Sequence, residues 1–376
     1  MRDTADIIVV GAGLVGLATA RELAGRGLAV ELLEARRAGA GASSAGAGLL
    51  APISDWESTR PILEICRRAR DQWRPWLAEL VAESGVAVEF DDSGCLQIEL
   101  RGEDPGFLDT ERGIAAAANE PWAELSPLEA RQRMPDLSPA VERVLYLPGE
   151  HRVDNVAACE ALAVACRRRG VSIREGFVAL RGQIGAQSVA IESSSERIEA
   201  RELVLATGAW SGQIAGFPEL PVRPVRGQML RLEGARWPWL GSARGARGYV
   251  VRRGEAGLLV GATVEEAGFA EHPTADGIRS LLDFAVEFFP GLGSARLESI
   301  WAGLRPGSPD GRPLLGRIDG GPLVAACGHY RNGILLAPWT GAEIACHLVE
   351  GRPIESAELF APDRFSNRSQ NAATLT

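Results

Sequence analysis

The chain opens on a short run of apolar positions, Asp6 to Val10, then a glycine-rich turn, then apolar residues at helical spacing: Leu14, Leu17, Ala18, Ala20, Leu23 and Ala24. A run that is apolar at every position fits a strand buried on both faces, and the 3.6-residue rhythm predicts a helix over Leu14 to Arg26. Gly27 supplies the left-handed position that ends helices, and Ala29-Val30-Glu31-Leu32-Leu33 reads as a second strand. These three pieces make one βαβ unit of a parallel sheet with a right-handed crossover. Residues 60–84 are helical in pattern, and Cys95–Leu100 and Leu145–Leu147 carry strand signals. Asp154 caps a helix that runs through Arg169 and closes at Gly170. Val171-Ser172-Ile173 and Glu202 to Ala206 predict two further strands. Gln228–Leu232, Tyr249–Arg252 and Leu258–Gly261 are spaced like antiparallel meanders, and Ile278 to Phe289 predicts a helix stopped by Pro290. Residues 39–51 read as a small-residue loop, and the polar end of the chain, 363–376, as a flexible tail. Parallel-type units at both ends and in the middle, with antiparallel blocks between, predict two interleaved domains.

Charge and composition narrow the chemistry. The 376 residues include 49 acidic and 40 basic ones, a formal charge of −9, which argues against a general nucleic-acid binder. All the basic residues are arginine; the absence of lysine removes Schiff-base chemistry, a pyridoxal-phosphate anchor and the P-loop lysine. Six cysteines without a CxxC pair and only four histidines predict no metal site. Cys159 and Cys166 share a helix face and read as small core residues. The N-terminus carries no secretory pattern, and no apolar run reaches the ~18 residues of a membrane span, so the expectation is a cytoplasmic protein with no disulfides and no membrane partner.

Gly11-Ala12-Gly13-Leu14-Val15-Gly16 is a GxGxxG turn between a strand and a helix, and Glu34 ends the next strand 18 residues beyond Gly16. Gly11 makes the tight turn, Gly13 lets backbone approach a pyrophosphate, and Gly16 lets helix and strand pack closely. The pyrophosphate would sit at the helix N-terminus, and Glu34 would accept from the adenosine ribose hydroxyls. The competing reading is a glycine turn in a fold without nucleotide. The motif does not separate FAD from NAD, and Arg36 and Arg37 would even suit a 2′-phosphate. FAD is favoured by the motif's N-terminal place, by a second strand-turn at Leu203–Trp210, and by the 39–51 loop, whose small residues suit backbone lying against a flat ligand.

GxGxxG with Ala20, Gly27, Val30 and Glu34 resembles the FAD fingerprint of the D-amino-acid oxidase, glycine oxidase and sarcosine oxidase superfamily. Trp301-Ala302-Gly303-Leu304-Arg305-Pro306-Gly307 and Gly328-His329-Tyr330-Arg331-Asn332-Gly333-Ile334-Leu335-Leu336-Ala337-Pro338 are similar to bacterial glycine oxidases, flavin enzymes linked to thiamine biosynthesis. Arg223–Gln228 and Gly248–Arg253 match the same pattern in order, so the resemblance spans nearly the whole chain. It implies an α/β fold: a Rossmann-like doubly wound FAD-binding domain (1–84, 146–212 and 302–362) with an interleaved α+β antiparallel-sheet substrate domain (85–145 and 213–301).

The resemblance further implies noncovalent FAD and oxidation of glycine, sarcosine or D-alanine: hydride passes to flavin N5, the imine hydrolyses to the oxo acid, and O2 reoxidation gives H2O2. Arg305 would pair with the substrate carboxylate through its planar fork. Tyr249 would donate a second bond to that carboxylate, and Arg331 would bring its carbonyl near the amine. Cofactor contacts are implied for Gly11, Gly13, Leu14, Val15, Gly16, Glu34, Ala35, Ala42, Ser43, Ala47, Gly48, Leu49, Val178 and Gly208. The segment His329, Tyr330, Arg331, Asn332, Gly333, Ile334, Leu335 would turn backbone N–H groups toward the flavin pyrimidine edge, with His329 in a backbone role rather than as a base. Bland alternatives stand beside these: a surface turn for Arg305, half-buried packing for Tyr249, a turn before a helix for 331–333, and core or interface packing for the nine tryptophans. Departures from the pattern are Leu49 for Met, Arg247 for His and Trp339 for a small residue; they leave the preferred amine open. Gly303 stands where sarcosine oxidases carry the flavin-linking cysteine, and the oxygen-activating lysine of those enzymes is absent too. Two rivals remain: a dehydrogenase passing electrons to an acceptor other than O2, and a non-catalytic flavin-binding subunit. Homo-oligomerisation is left open.

Overall fold

A computed structural model describes residues 5–54, 60–103 and 106–365. The first strand, β1 (Ile7–Val10), is entirely buried and leads through Gly11 into α1 (Leu14–Gly25) and back to β2 (Val30–Glu34), parallel to β1 in register Ile7 with Val30. A Cβ on Gly16 would lie 1.8 Å from the Gly11 carbonyl oxygen, so helix and turn pack at a distance only glycine permits. The sheet built on β1 has six strands in the order Leu314–Arg317, Leu323–Cys327, Glu202–Leu205, β1, β2, Ser172–Glu175. All its pairs are parallel except the first, an antiparallel edge. On one face α1 packs between Asn155–Arg168 and Ala337–Glu350, with Leu17, Leu23, Leu162 and Ile344 inaccessible to solvent.

The second sheet has eight strands in the order Arg296–Gly307, Arg223–Glu233, Gly257–Gly261, Gly248–Arg253, Ser242–Gly245, Cys95–Leu100, Val141–Leu147, Ala123–Leu125. One face buries Leu96, Ile98, Leu230, Val250 and Val260 beneath the amphipathic helix Ala275–Phe288. The other face turns toward the six-stranded sheet, and between them lies the site.

Several expectations are corrected. The eight-stranded sheet is not wholly antiparallel: six of its seven pairs are, and one, Ser242–Gly245 with Cys95–Leu100, is parallel. The boundary drawn before 302 cuts a continuous strand, since Arg296–Gly307 pairs along its whole length with Arg223–Glu233. The 39–51 loop contains a helical turn, Ala42–Ala45, and a short strand, Leu49–Leu50, paired with His151–Val153. A polar three-stranded meander, Arg181–Ile184, Val189–Glu192 and Arg197–Ala200, was not foreseen. At the chain end, Arg364 is anchored 2.9 Å from Asp310, so the tail does not begin at 363; residues 366–376 of the expected tail lie outside the described residues. The six cysteines are free, with Cys159 and Cys166 in the core as read. Among the described residues no helix is long and apolar enough to cross a membrane, and no group of acidic, histidine and cysteine side chains could hold a metal.

Candidate active site

A cavity of about 920 Å3 runs from the N-terminus of α1 to the inner face of the eight-stranded sheet. It lies toward the upper end of the ~300–1,000 Å3 usual for small-molecule sites. At one end, α1 begins at Gly13 with no side-chain cap and no acidic residue in its first turn, which leaves a positive dipole end facing the cavity. The Leu14 N–H donates to Ser43 Oγ at 2.9 Å, tying the 42–45 turn to the helix start. Glu34 accepts from the Ala12 and Arg36 N–H groups, each at 2.8 Å, one on each carboxylate oxygen. An ionised carboxylate offers about four lone-pair sites, so acceptor capacity is left on the cavity side. Asn155, fully buried, donates to the Ser43 carbonyl at 2.6 Å and the Gly46 carbonyl at 3.0 Å, and its own oxygen accepts from Arg253 at 2.7 Å. This clamp fixes Ala42 through Gly48.

The far wall is set by strand register. Side chains on adjacent strands that stand directly opposite share a face. Gly227 opposes Gly303, Met229 opposes Trp301 and Gly261, Gly261 opposes Tyr249, and Tyr249 opposes Arg244. Arg305, two residues beyond Gly303, therefore points the same way. Its guanidinium donates to the Thr263 carbonyl at 3.0 Å, and its charge acts on the Tyr249 phenol, whose hydroxyl donates to Met229 Sδ at 3.4 Å. A Cβ on Gly227 would sit 2.4 Å from Arg305 Nη1, so the guanidinium lies directly over that glycine. Burial raises the Tyr249 phenol, against the opposing charges of Arg305, Arg331 and Arg244, and it stays a neutral donor at neutral pH.

The cavity lining includes Gly11, Gly13, Val15, Glu34, Ala35, Ala42, Ser43, Ala47, Gly48, Leu49, Val178, Gly208, Tyr249, Arg305, His329, Tyr330, Arg331, Asn332, Gly333 and Ile334. It leaves out three residues the sequence had nominated. Leu14 and Leu335 turn their side chains into the core at 1% exposure, and Gly16 is covered by the turn it packs against. The His329 ring points away from solvent to Thr340 Oγ1 at 3.0 Å, and burial depresses it to about 3, so it is neutral. The backbone of 329–334 does face the cavity. The N–H groups of Gly333 and Ile334 make no backbone hydrogen bond among the described residues, whereas the Tyr330 N–H is spent on the Pro306 carbonyl at 2.9 Å. The Arg331 guanidinium stacks 5.3 Å from the Tyr330 ring. Trp339 lies outside the lining, packed 5.4 Å from Phe360. Arg247 sits at the rim, paired with Glu287.

Arg36, named in the sequence reading, and residues it did not single out complete the walls. Arg36 pairs with Glu271 at 3.2 Å and stacks 5.5 Å over Trp210, so a connection from the eight-stranded sheet straps across the nucleotide end. Arg36, one of the two arginines that would suit a 2′-phosphate, is here paired with a carboxylate. Trp210, by contrast, is a cavity tryptophan, against the reading of the tryptophans as core or interface residues. Arg244 and Ser54 line the opposite end. Behind them Glu150 accepts from the Ile53 N–H at 2.9 Å and from Ser54 Oγ at 2.8 Å, and burial pushes it up to about 7.

The uncapped helix start, the glycine cradle and the acceptor on Glu34 fit a dinucleotide. Comparison with known proteins agrees. Residues 6–347 match the family model described as FAD dependent oxidoreductase, DAO. The chain is 34% identical to a glycine oxidase from Pseudomonas putida, over 95% of this chain and 98% of that one. It is also 34% identical to the bifunctional protein ThiO/ThiG of a Nostoc species over 99% of this chain, and spans 56% of that longer protein. The solved glycine oxidase from Geobacillus kaustophilus superposes with a TM-score of 0.90 at 28% identity, covering 95% of this chain and 98% of that one.

Proposed function

The chain belongs to the DAO family of FAD dependent oxidoreductases, and from that premise we propose that it oxidatively deaminates glycine and other small amines, sarcosine and D-alanine among them, as an O2-using amino-acid oxidase whose product serves thiamine biosynthesis. In this reading the α1 start, Ser43, Glu34 and the 329–334 backbone hold noncovalent FAD. FAD, when bound, takes two electrons from the amine and passes them to O2 to give H2O2, leaving an imine that hydrolyses to the oxo acid and ammonia, or methylamine where the substrate is sarcosine.

The protein's part is to position. Arg305 holds one substrate carboxylate by charge-assisted hydrogen bonds that fix orientation, and the neutral Tyr249 phenol donates a further bond to it. With the carboxylate fixed at the sheet, the substrate Cα would face the open cavity and the amine the Arg331 carbonyl. No general base is needed on a neutral amine, and the buried, depressed His329 offers none.

One observation carries the reading. Arg305 and Tyr249 come from strands well apart in sequence and meet on one face of a cavity whose opposite end is an uncapped helix start. The test is an absorbance spectrum of the purified protein, followed by anaerobic titration with glycine, sarcosine and D-alanine and a peroxide assay in air. Flavin bleaching with one peroxide per amine is expected. Bleaching without peroxide would replace O2 by another acceptor, and a flavin that no small amino acid bleaches would overturn the proposal.

A further inference from the structure

Five arginines line the cavity: Arg36, Arg244, Arg247, Arg305 and Arg331. Arg36 and Arg247 are matched by carboxylates, Glu271 and Glu287. Arg305 takes the substrate carboxylate in the reading above, and Arg331 stacks on Tyr330. Arg244 is different. It stands opposite Tyr249 on one neighbouring strand and opposite Gln97 on the other, so its side chain shares their face of the sheet. Its guanidinium donates to a neutral group, the Ser54 carbonyl, and stacks 5.9 Å over the Phe107 ring. Its nearest carboxyl among the described residues is Glu111, at 3.8 Å, too far for a hydrogen bond.

Glu111 does not supply the missing charge. It is 2% exposed, and its Oε2 has no hydrogen-bond partner among the described residues. Burial, reinforced by Glu150 and opposed by Arg244, pushes Glu111 up to about 8, so at neutral pH it is mostly a neutral acid. The guanidinium thus stands at the cavity wall with no carboxylate within hydrogen-bonding reach among the described residues, on the same sheet face as the phenol that helps orient the substrate.

We infer that Arg244 is a specificity-determining residue that receives a second acidic group on the substrate, so that the chain favours aminodicarboxylates over their monocarboxylate counterparts. The inference rests on the proposal that Arg305 and Tyr249 hold the first carboxylate. A guanidinium that no carboxylate hydrogen-bonds among the described residues offers such a substrate a charge-assisted pair that glycine cannot use. The same charge gives no advantage to a substrate ending in a methyl group.

The experiment compares pairs that differ only by the second carboxylate: iminodiacetate with sarcosine, and D-aspartate with D-alanine, each mixed anaerobically with the FAD-loaded protein while flavin reduction is followed. Malonate against acetate, read by thermal shift, gives the same comparison for ligands that are not oxidised. The expected result is an apparent Kd at least about tenfold lower for each dicarboxylate. That preference should vanish in Arg244→Ala and survive in part in Arg244→Lys. Equal affinity within the pairs in the parent protein would overturn the inference, as would a preference that persists in Arg244→Ala. If Arg244→Ala does not fold, the parent's paired affinities and the lysine variant decide. Failure of the underlying reading looks different: Arg305→Ala would then reduce with sarcosine as the parent does, whatever Arg244 contributes.

Discussion

Gly227 carries no chemistry, yet replacing it tests the site sharply. A Cβ there would lie 2.4, 2.5 and 2.6 Å from Arg305 Nη1, Nη2 and Cζ, where ordinary contact begins near 3.4 Å. The guanidinium must retreat by about 1 Å, and a displacement of that size in a positioning group costs on the order of 100-fold in rate. Because the fork binds its carboxylate through paired bonds, the loss should fall on kcat/KM, about 2.8 kcal/mol at tenfold per 1.4 kcal/mol. The assay is kcat/KM for Gly227→Ala beside Arg305→Ala and the double variant, with flavin absorbance confirming cofactor content. Since the alanine acts through Arg305, its effect should largely disappear in the Arg305→Ala background. Additive losses, or a Gly227→Ala variant with parental kcat/KM, would refute the placement of Arg305 at the substrate carboxylate.

Asn155→Ala strips the donors from the Ser43 and Gly46 carbonyls and leaves the buried Arg253 without one acceptor. At roughly 1–3 kcal/mol for each buried group left unsatisfied, a lower Tm and FAD loss on gel filtration are expected. Glu271→Ala removes a pair whose members are each more than a third exposed, so FAD retention should change less than about fivefold, consistent with the ~1 kcal/mol ceiling for surface pairs. Glu111 holds a proton in the folded state up to about pH 8 that the unfolded chain releases above its ordinary value of 4.5. Stability therefore falls as pH rises through that window and levels off above it. Denaturant titrations of the parent and Glu111→Gln at pH values across the window should show the variant gaining steadily, and parallel pH dependences would contradict the burial of an uncharged acid.

What the sequence disclosed was local. The β1–α1–β2 unit was legible because its evidence is short-range: an apolar strand, three glycines at fixed spacing and a helical rhythm, each written within 30 residues. The meander over 181–200 was hidden because two of its strands are mostly exposed, so the alternation that marks a half-buried strand is weak there. Buried carboxyls escaped for the opposite reason. Glu111 and Glu150 are charged letters, read by default as surface, and only the packing around Ser54, Gln97 and Arg244 removes them from water.

The site itself illustrates the boundary between the two kinds of information. Arg305 and Tyr249 were found through resemblance, since nothing local distinguishes an arginine before Pro-Gly from a surface turn. Arg244 was not found, because Ser-Ala-Arg-Gly-Ala-Arg-Gly reads as a basic glycine-rich loop. Its meaning comes from register: the Ser242–Gly245 strand pairs antiparallel with one neighbour and parallel with the other, which puts Tyr249 on one side of Arg244 and Gln97 on the other. A one-residue slip would send the guanidinium into the apolar layer under Ala275–Phe288, where no counter-charge could follow it cheaply. The alternation of Ala243 into that layer, fully buried, fixes the register and hence the placement of Arg244. The small apolar residue thus decides where the charged one can act.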